Sequence, residues 1–122
     1  MKILLDNCMD VRVKRLFPGH DVSHAREHGW KDLVNGRLIG AASAAGFAVL
    51  VTVDKNIRFQ QHLSTLPLSV FELDVLLNRF RDIAPLATHV PAALEHTRRF
   101  AFVSLKPDGT IECLAERVAG GG

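Results

Sequence analysis

The feature that most constrains the fold is an apolar, β-branched run at residues 47–56, FAVLVTVDKN, which ends abruptly in polar residues. The run is too short to span a membrane and is typical of a strand buried on both faces of a parallel sheet. Asp54 follows this strand, and Asp6 follows another apolar run at residues 3–5. In an open α/β sheet the carboxyl ends of the parallel strands share one edge, where ligands bind. We therefore expect Asp6 and Asp54 to be neighbours in space.

Length and composition indicate a single domain. The chain has 122 residues and is 48% hydrophobic, which is enough to bury roughly two-thirds of the unfolded surface around one core. We assign residues 1–118 to this domain and expect residues 119–122 to form a flexible tail. The two cysteines are too few for a disulfide framework and predict reduced, buried thiols.

Charge and hydropathy limit the partners. A net charge of +2 is compatible with an anionic partner but does not require one. No apolar stretch is long enough to cross a bilayer, and the run after Lys2 is too short for the core of a secretion signal. We therefore expect a cytoplasmic protein without a membrane partner.

Strands and helices alternate along the chain, which predicts right-handed βαβ units and a mainly parallel sheet covered on both faces. Near the end, two apolar runs flank a Pro-Asp-Gly turn and predict a hairpin. The predicted strands are residues 2–6, 20–24, 47–53, 68–73, 100–105 and 110–114. The predicted helices are residues 9–17, 35–45, 57–63 and 83–94.

Four residues mark the predicted helix ends. Asn35 is a suitable N-cap for the helix before the buried strand, and Gly46 stands where its C-terminal cap is expected. Asp82 is the expected cap of the later helix, which Pro91 must kink or split because proline lacks an N–H group.

Acids gathered at one sheet edge predict a metal site. Carboxylates repel one another unless a divalent ion such as Mg²⁺ or Mn²⁺ neutralises them. Such an ion can orient a water molecule, lower its pKa and stabilise charge on phosphate oxygens, which is the chemistry of phosphodiester hydrolysis. We expect Asp6 and Asp54 to be catalytic and, with Asp74, to bind the metal. The supporting polar residues are Asn7, Asn35, Thr52 and Asn56. Cations that could contact the phosphates of a nucleic acid around the acids are Arg12, Arg15, Lys55 and Arg58.

Three segments resemble the small PIN-like proteins, which are predicted nucleases and are often assigned to toxin–antitoxin systems. They are MKILLDN at the start, GHDVSHAREHGWKDLVNGRLIGAA from Gly19, and AGFAVLVTVDKNIRFQQHL. Asp6 matches the first acid of the family, and Asp54 with Thr52 matches its TxD pattern; beyond Leu73 the resemblance is weak. The resemblance implies a three-layer PIN-like fold, a Mg²⁺ or Mn²⁺ site, endonucleolytic cleavage of RNA, and a protein antitoxin as partner.

The chain departs from the family at two places. Relatives read LLDEN in the first strand, whereas Asn7 here replaces the second acid, and Arg37 stands where a further acid is expected. Either Asp10, Asp32 or Asp74 compensates, or the protein is a weakened PIN-like module that binds RNA or a protein partner and cuts poorly. A homodimer is also considered.

Other interpretations remain open for the same residues. Asp54 is a suitable N-cap for the helix that follows it, and Asp6 for the helix near Met9. Trp30 either stacks on a base or folds over the core. A receiver-type phosphoacceptor domain also has acids after its first and third strands. That class fits less well, because no second acid follows Asp6 and no late Thr/Ser and Lys pair is evident.

Overall fold

The structure, a computed structural model, describes residues 1–60, 62, 65–98 and 100–116. The strands are β1 (Lys2–Leu5), β2 (Asp21–His24), β3 (Val49–Thr52), β4 (Ser69–Leu73), β5 (Ala101–Leu105) and β6 (Ile111–Glu116). They form one sheet in the order β2-β1-β3-β4-β5-β6, in which only the β5–β6 pair is antiparallel. The predicted mainly parallel sheet with a C-terminal hairpin is therefore confirmed. The predicted tail and residues 117–118 lie outside the described residues.

The predicted helices at residues 35–45 and 83–94 are shorter or divided in the structure, whereas the predicted helix from Ile57 to Leu63 extends into residues outside the described ones. The α-helices are α1 (Asn35–Ala44), α2 (Ile57–Gln60), α3 (Phe80–Ile83) and α4 (Val90–Glu95), and 3-10 helices cover Val11–Leu16, Ala25–His28, Ala84–His89 and His96–Arg98. Among these described helices, none combines the length and apolar character needed to cross a membrane. The predicted helix at residues 9–17 is thus a 3-10 helix, although its apolar positions are buried as expected: Met9, Val13, Leu16 and Phe17.

The sheet has an apolar core on each face, which gives three layers. Side chains alternate along the strands, so Ile3 and Leu5 of β1 join one core cluster and Leu4 joins the other. Leu38 of α1 and Ile57 of α2 pack on the Leu4 face. The opposite face is covered by the first 3-10 helix and by the segment from α3 to α4. Both faces of the central strands are therefore buried, as expected from their apolar, β-branched composition.

Two of the four predicted helix ends are wrong. The N-cap of α1 is Val34, and Asn35 is the first helical residue with a left-handed φ of 46°. Asp82 lies inside α3, where it bonds to the N-cap residue Arg79 at 2.5 Å. Asparagine tolerates the left-handed region better than most residues because its short side chain can bond locally.

The other two helix ends are confirmed. Gly46 has a φ of 87° and follows α1, and its N–H donates to the carbonyl of Ser43 at 3.1 Å. The N–H of Phe47 donates to the carbonyl of Ala42 at 3.0 Å, which completes a Schellman motif. Pro91 splits the later helix, since α4 begins one residue before it and a 3-10 helix precedes α4.

Two glycines are expected to respond oppositely to alanine. Gly109 lies in the β5–β6 turn with a φ of 90°, and a Cβ there would be 2.7 Å from the His89 ring. We expect Gly109→Ala to lower the free energy of unfolding by about 1–3 kcal/mol. Gly40→Ala, inside α1 with no heavy atom within 4 Å of the added Cβ, is expected to raise it by about 0.4–1 kcal/mol. Urea unfolding measures both, and a destabilising Gly40→Ala or a neutral Gly109→Ala would contradict this packing.

Candidate functional site

The site lies where the strand order reverses. The chain passes from β1 to β2 on one side and then to β3 on the other side of β1. In open α/β sheets, ligands bind at this point, outside the carboxyl ends of the strands. Asp6 directly follows β1, and its N–H donates to the carbonyl of Val51 in β3 at 2.9 Å. The first predicted acid therefore sits at the crevice between β1 and β3.

Thr52 joins the two predicted catalytic acids. Its side chain is fully buried at the end of β3. Its hydroxyl donates to Asp6 Oδ2 at 2.7 Å and accepts from the backbone N–H of Asp54 at 2.9 Å. The prediction that Asp6 and Asp54 are neighbours at one sheet edge is thus confirmed. The buried hydroxyl has both a donor and an acceptor partner, so it fixes the Asp6 carboxylate relative to the Asp54 backbone.

The alternative role of Asp6 as a helix cap is wrong. The first helix is capped by Asp10, whose carboxylate accepts from the N–H of Arg12 at 2.8 Å. Asp6 Oδ1 accepts instead from the N–H of Asn7 at 2.7 Å. Among the described helices, none is therefore capped by the Asp6 carboxylate.

Asp54 does hold the turn that leads into α2. Its Oδ1 accepts from the N–H of Asn56 at 2.9 Å, which places the backbone of Asn56 beside Asp54. Among the described residues, neither Asp54 nor Asp6 forms an ion pair. Carboxylates that share a sheet edge without a cationic partner favour the binding of a cation there.

Cys8 lines the same cleft. Its Sγ donates to Asp6 Oδ2 at 3.6 Å. Both Cys8 and Cys113 are exposed, so the prediction of buried thiols is wrong. The Cys8 sulfur nonetheless lies against protein atoms, and this desolvation, together with the negative charge of Asp6, raises the pKa of the thiol to about 11. At neutral pH the sulfur is therefore a protonated donor to Asp6 and a poor nucleophile.

Asn7 ties down the loop between β2 and α1. Its Nδ2 donates to the carbonyls of Trp30 and Leu33, at 2.8 and 2.9 Å. A carboxylate could not donate these bonds, which explains an amide at this position. The Asn7 Oδ1 is buried without a hydrogen-bond partner within the described part of the chain.

The Trp30 ring stacks on His28, with 4.9 Å between centroids, and packs on the core. The prediction that Trp30 folds over the core is therefore confirmed.

Asp74 is neutralised by two lysines. It follows β4, and its oxygens bond to Lys55 Nζ at 2.6 Å and Lys106 Nζ at 2.9 Å. These bonds, first with Lys55 and then with Lys106, hold the pKa of Asp74 below its ordinary value. Of the other candidate acids, Asp10 is paired with Arg12, which lowers its pKa to about 2, and Asp32 is exposed.

The sequence pattern did not reveal a buried ion pair one strand from the acids. Glu72 in β4 is completely buried and accepts from Arg58 Nη2 at 2.6 Å and Nε at 3.2 Å. It stands opposite Thr52 of β3 and Ser104 of β5 in the parallel register. The available signal was a single charged residue in the otherwise uncharged strand at residues 69–73.

Most cations predicted to contact RNA have partners inside the protein. Arg12 bonds to Asp10 and stacks on the Phe80 ring at 4.5 Å, and Arg58 holds Glu72. Arg15 lies 5.9 Å from the same ring. Lys55, paired with Asp74 and 47% exposed, is the predicted cation adjacent to Asp54 in the chain.

Asp6 and Asp54 could together hold a hard divalent ion. Carboxylate oxygens are the ligands such ions prefer, and these two carboxylates carry the uncompensated charge of the edge. Within the described ranges, no group of three or more His, Cys, Asp or Glu side chains is arranged to hold a metal ion. Two carboxylates alone predict weak binding with several waters retained. Asp74 as a third ligand stays a prediction, and it would have to leave its lysines.

Comparison of the chain with protein-family models, curated proteins and solved structures found no match.

Proposed function

We propose that this protein is a PIN-like, divalent-metal-dependent endoribonuclease. The observation that supports it is the hydrogen-bonded chain from Asp6 through the Thr52 hydroxyl to the Asp54 backbone, at the carboxyl ends of the neighbouring strands β1 and β3. The carboxylates have no cationic partner among the described residues. The TxD pattern of Thr52 and Asp54 agrees with the family resemblance.

The chain's own residues would bind and orient. Asp6 and Asp54 would hold a Mg²⁺ or Mn²⁺ ion, and Thr52 keeps Asp6 Oδ2 in place. The bound ion would supply Lewis acidity and a water of lowered pKa. The Cys8 thiol donates to the same Asp6 oxygen and limits the charge density on it. A preorganised carboxylate needs little rearrangement when the ion binds.

A second candidate is a PIN-like module that binds RNA or a protein and cuts poorly. It is favoured by the contacts of Asn7 and Asp74: the Asn7 amide holds backbone carbonyls, and Asp74 is occupied by two lysines. The site then has a charge of only −2 from Asp6 and Asp54. A cleft with so little charge binds a metal ion weakly. The turnover rate then falls with the fraction of protein molecules that hold the ion.

The role as the toxin of a toxin–antitoxin pair is part of the proposal. A cleft with uncompensated carboxylates attracts a cation from an inhibitory protein as well as a metal ion. The geometry gives little support to the receiver-type phosphoacceptor alternative. Lys106 does follow β5 directly, but its ammonium bonds to Asp74 and Glu112 rather than to Asp54.

The test is an RNA cleavage assay with Mg²⁺, with Mn²⁺ and with EDTA, run beside a binding measurement on the same RNA. Cleavage that requires the ion supports the nuclease. RNA binding without cleavage supports the second candidate. If the protein neither binds nor cleaves single-stranded or structured RNA, both candidate functions are contradicted.

A further inference from the structure

Phe59 presents an aromatic ring to solvent on the helix that follows Asp54 in the chain. It lies in α2, which begins three residues after Asp54, and it is 80% exposed. The same short helix is anchored by two other residues, since Ile57 is buried and Arg58 holds Glu72. The exposure of Phe59 therefore does not reflect a poorly packed helix, and its ring is available to a ligand.

Lys55 precedes this helix by two residues and shares the Asp74 carboxylate with Lys106. Lys55 and Lys106 bond to different oxygens of Asp74, so one carboxylate holds their ammonium groups close together. Each ammonium has three N–H donors. Lys55 uses one on Asp74, whereas Lys106 uses two, on Asp74 and Glu112. Three donors remain for the oxygens of an anion.

We propose that Phe59, Lys55 and Lys106 form a nucleotide-binding subsite on the β4 side of the acid pair. The Phe59 ring stacks on an unpaired base, and the lysines bind the adjoining phosphate. In this arrangement Asp74 positions the two lysines rather than binding the metal. An aromatic platform beside fixed cations is the combination that single-stranded nucleic acids favour. The inference rests on the proposed function, because it places part of the RNA beside Asp54.

A protein partner is the competing occupant of the same surface. Leu76, which follows β4, is 95% exposed and adds an apolar side chain to this edge. The lysines favour RNA, because an apolar protein surface does not need two ammonium groups held by one carboxylate. Stacking requires a π-face, whereas a hydrophobic contact accepts any apolar side chain, so the two occupants respond differently to substitution at Phe59.

The experiment measures the affinity of a fluorescein-labelled oligouridylate by anisotropy, in EDTA and over a series of salt concentrations. We expect Phe59→Leu to weaken binding by about tenfold or more, and Phe59→Trp to retain it. Lys55→Met and Lys106→Met should each reduce the slope of log K against log salt by about 0.7, the value for one phosphate contact on a single strand. Matched controls are Val34→Ala and Lys31→Met, exposed residues on the loop between β2 and α1, which should bind like the parent.

The possible results distinguish failure of the nucleotide-binding subsite from failure of the proposed function. Parent binding that Phe59→Leu and both lysine variants leave unchanged overturns the subsite and leaves the nuclease proposal standing. Equal binding by Phe59→Leu and the parent overturns stacking and favours an apolar contact at this surface. Failure of the parent to bind or cut any RNA overturns both proposals. Circular dichroism verifies that each variant is folded.

Discussion

Replacing Asp6 with asparagine is expected to lower Mn²⁺-dependent RNA cleavage by at least about a hundredfold, and replacing Asp54 to do the same. Asparagine keeps the size of the side chain and an acceptor oxygen, so the Thr52 hydroxyl can still donate at position 6. What is lost is one of the two negative charges that would hold the ion. Initial rates of cleavage at saturating Mn²⁺ measure the effect.

The fold should survive these changes. Asparagine is as good a helix N-cap as aspartate, so the turn that Asp54 forms with the N–H of Asn56 is retained in Asp54→Asn. Asp10→Asn is the matched control, because Asp10 lies on the same loop as Asp6 but caps the first helix and pairs with Arg12. Cleavage that persists unchanged in both Asp6→Asn and Asp54→Asn would assign the activity elsewhere.

Removal of Arg58 should produce the largest loss of stability. Arg58→Leu leaves the Glu72 carboxylate in the sheet with no cationic partner, and Glu72 is completely buried. Breaking one half of such a pair lowers the free energy of unfolding by about 3–5 kcal/mol. The Ser104 hydroxyl is the remaining polar neighbour, but it lies at 3.5 Å and can offset little of this penalty. Urea unfolding followed by circular dichroism measures the difference.

Two further variants test this explanation. Arg12→Leu removes an arginine whose pair with Asp10 is exposed and screened by solvent, and it should leave the free energy of unfolding nearly unchanged. The double variant Arg58→Leu with Glu72→Leu removes the buried charge altogether and should recover most of the stability. A double variant as unstable as Arg58→Leu would show that the lost charge pair is not the cause.

The sheet was predictable because its strands carry a strong apolar pattern between polar loops. The run at residues 47–56 contains β3, and its buried β-branched residues required a neighbour on each side. The helix ends were less predictable, because several residues compete to cap each one. Asp10 is the N-cap of the first 3-10 helix. Asp82 lies inside α3 and bonds to its N-cap residue Arg79 instead of capping that helix.

The site was predictable only in its backbone-determined part. Asp6 and Asp54 meet because parallel strands end at a common edge, and that follows from chain order. The partners of side chains do not follow from chain order. Lys106, which follows β5, reaches Asp74 from 32 residues later in the chain, and Glu72 is buried because Arg58 folds over it. Both depend on packing of the layers, which a single sequence does not display.

A cation shared by Asp6 and Asp54 is tested by calorimetric titration of the parent protein, Asp6→Asn, Asp54→Asn and Asp10→Asn with Mn²⁺. We expect the parent and Asp10→Asn to bind one ion with the same affinity and each of the other two variants to lose measurable binding. Equal binding by all four proteins, or binding that is lost only in Asp10→Asn, would contradict a shared cation between Asp6 and Asp54.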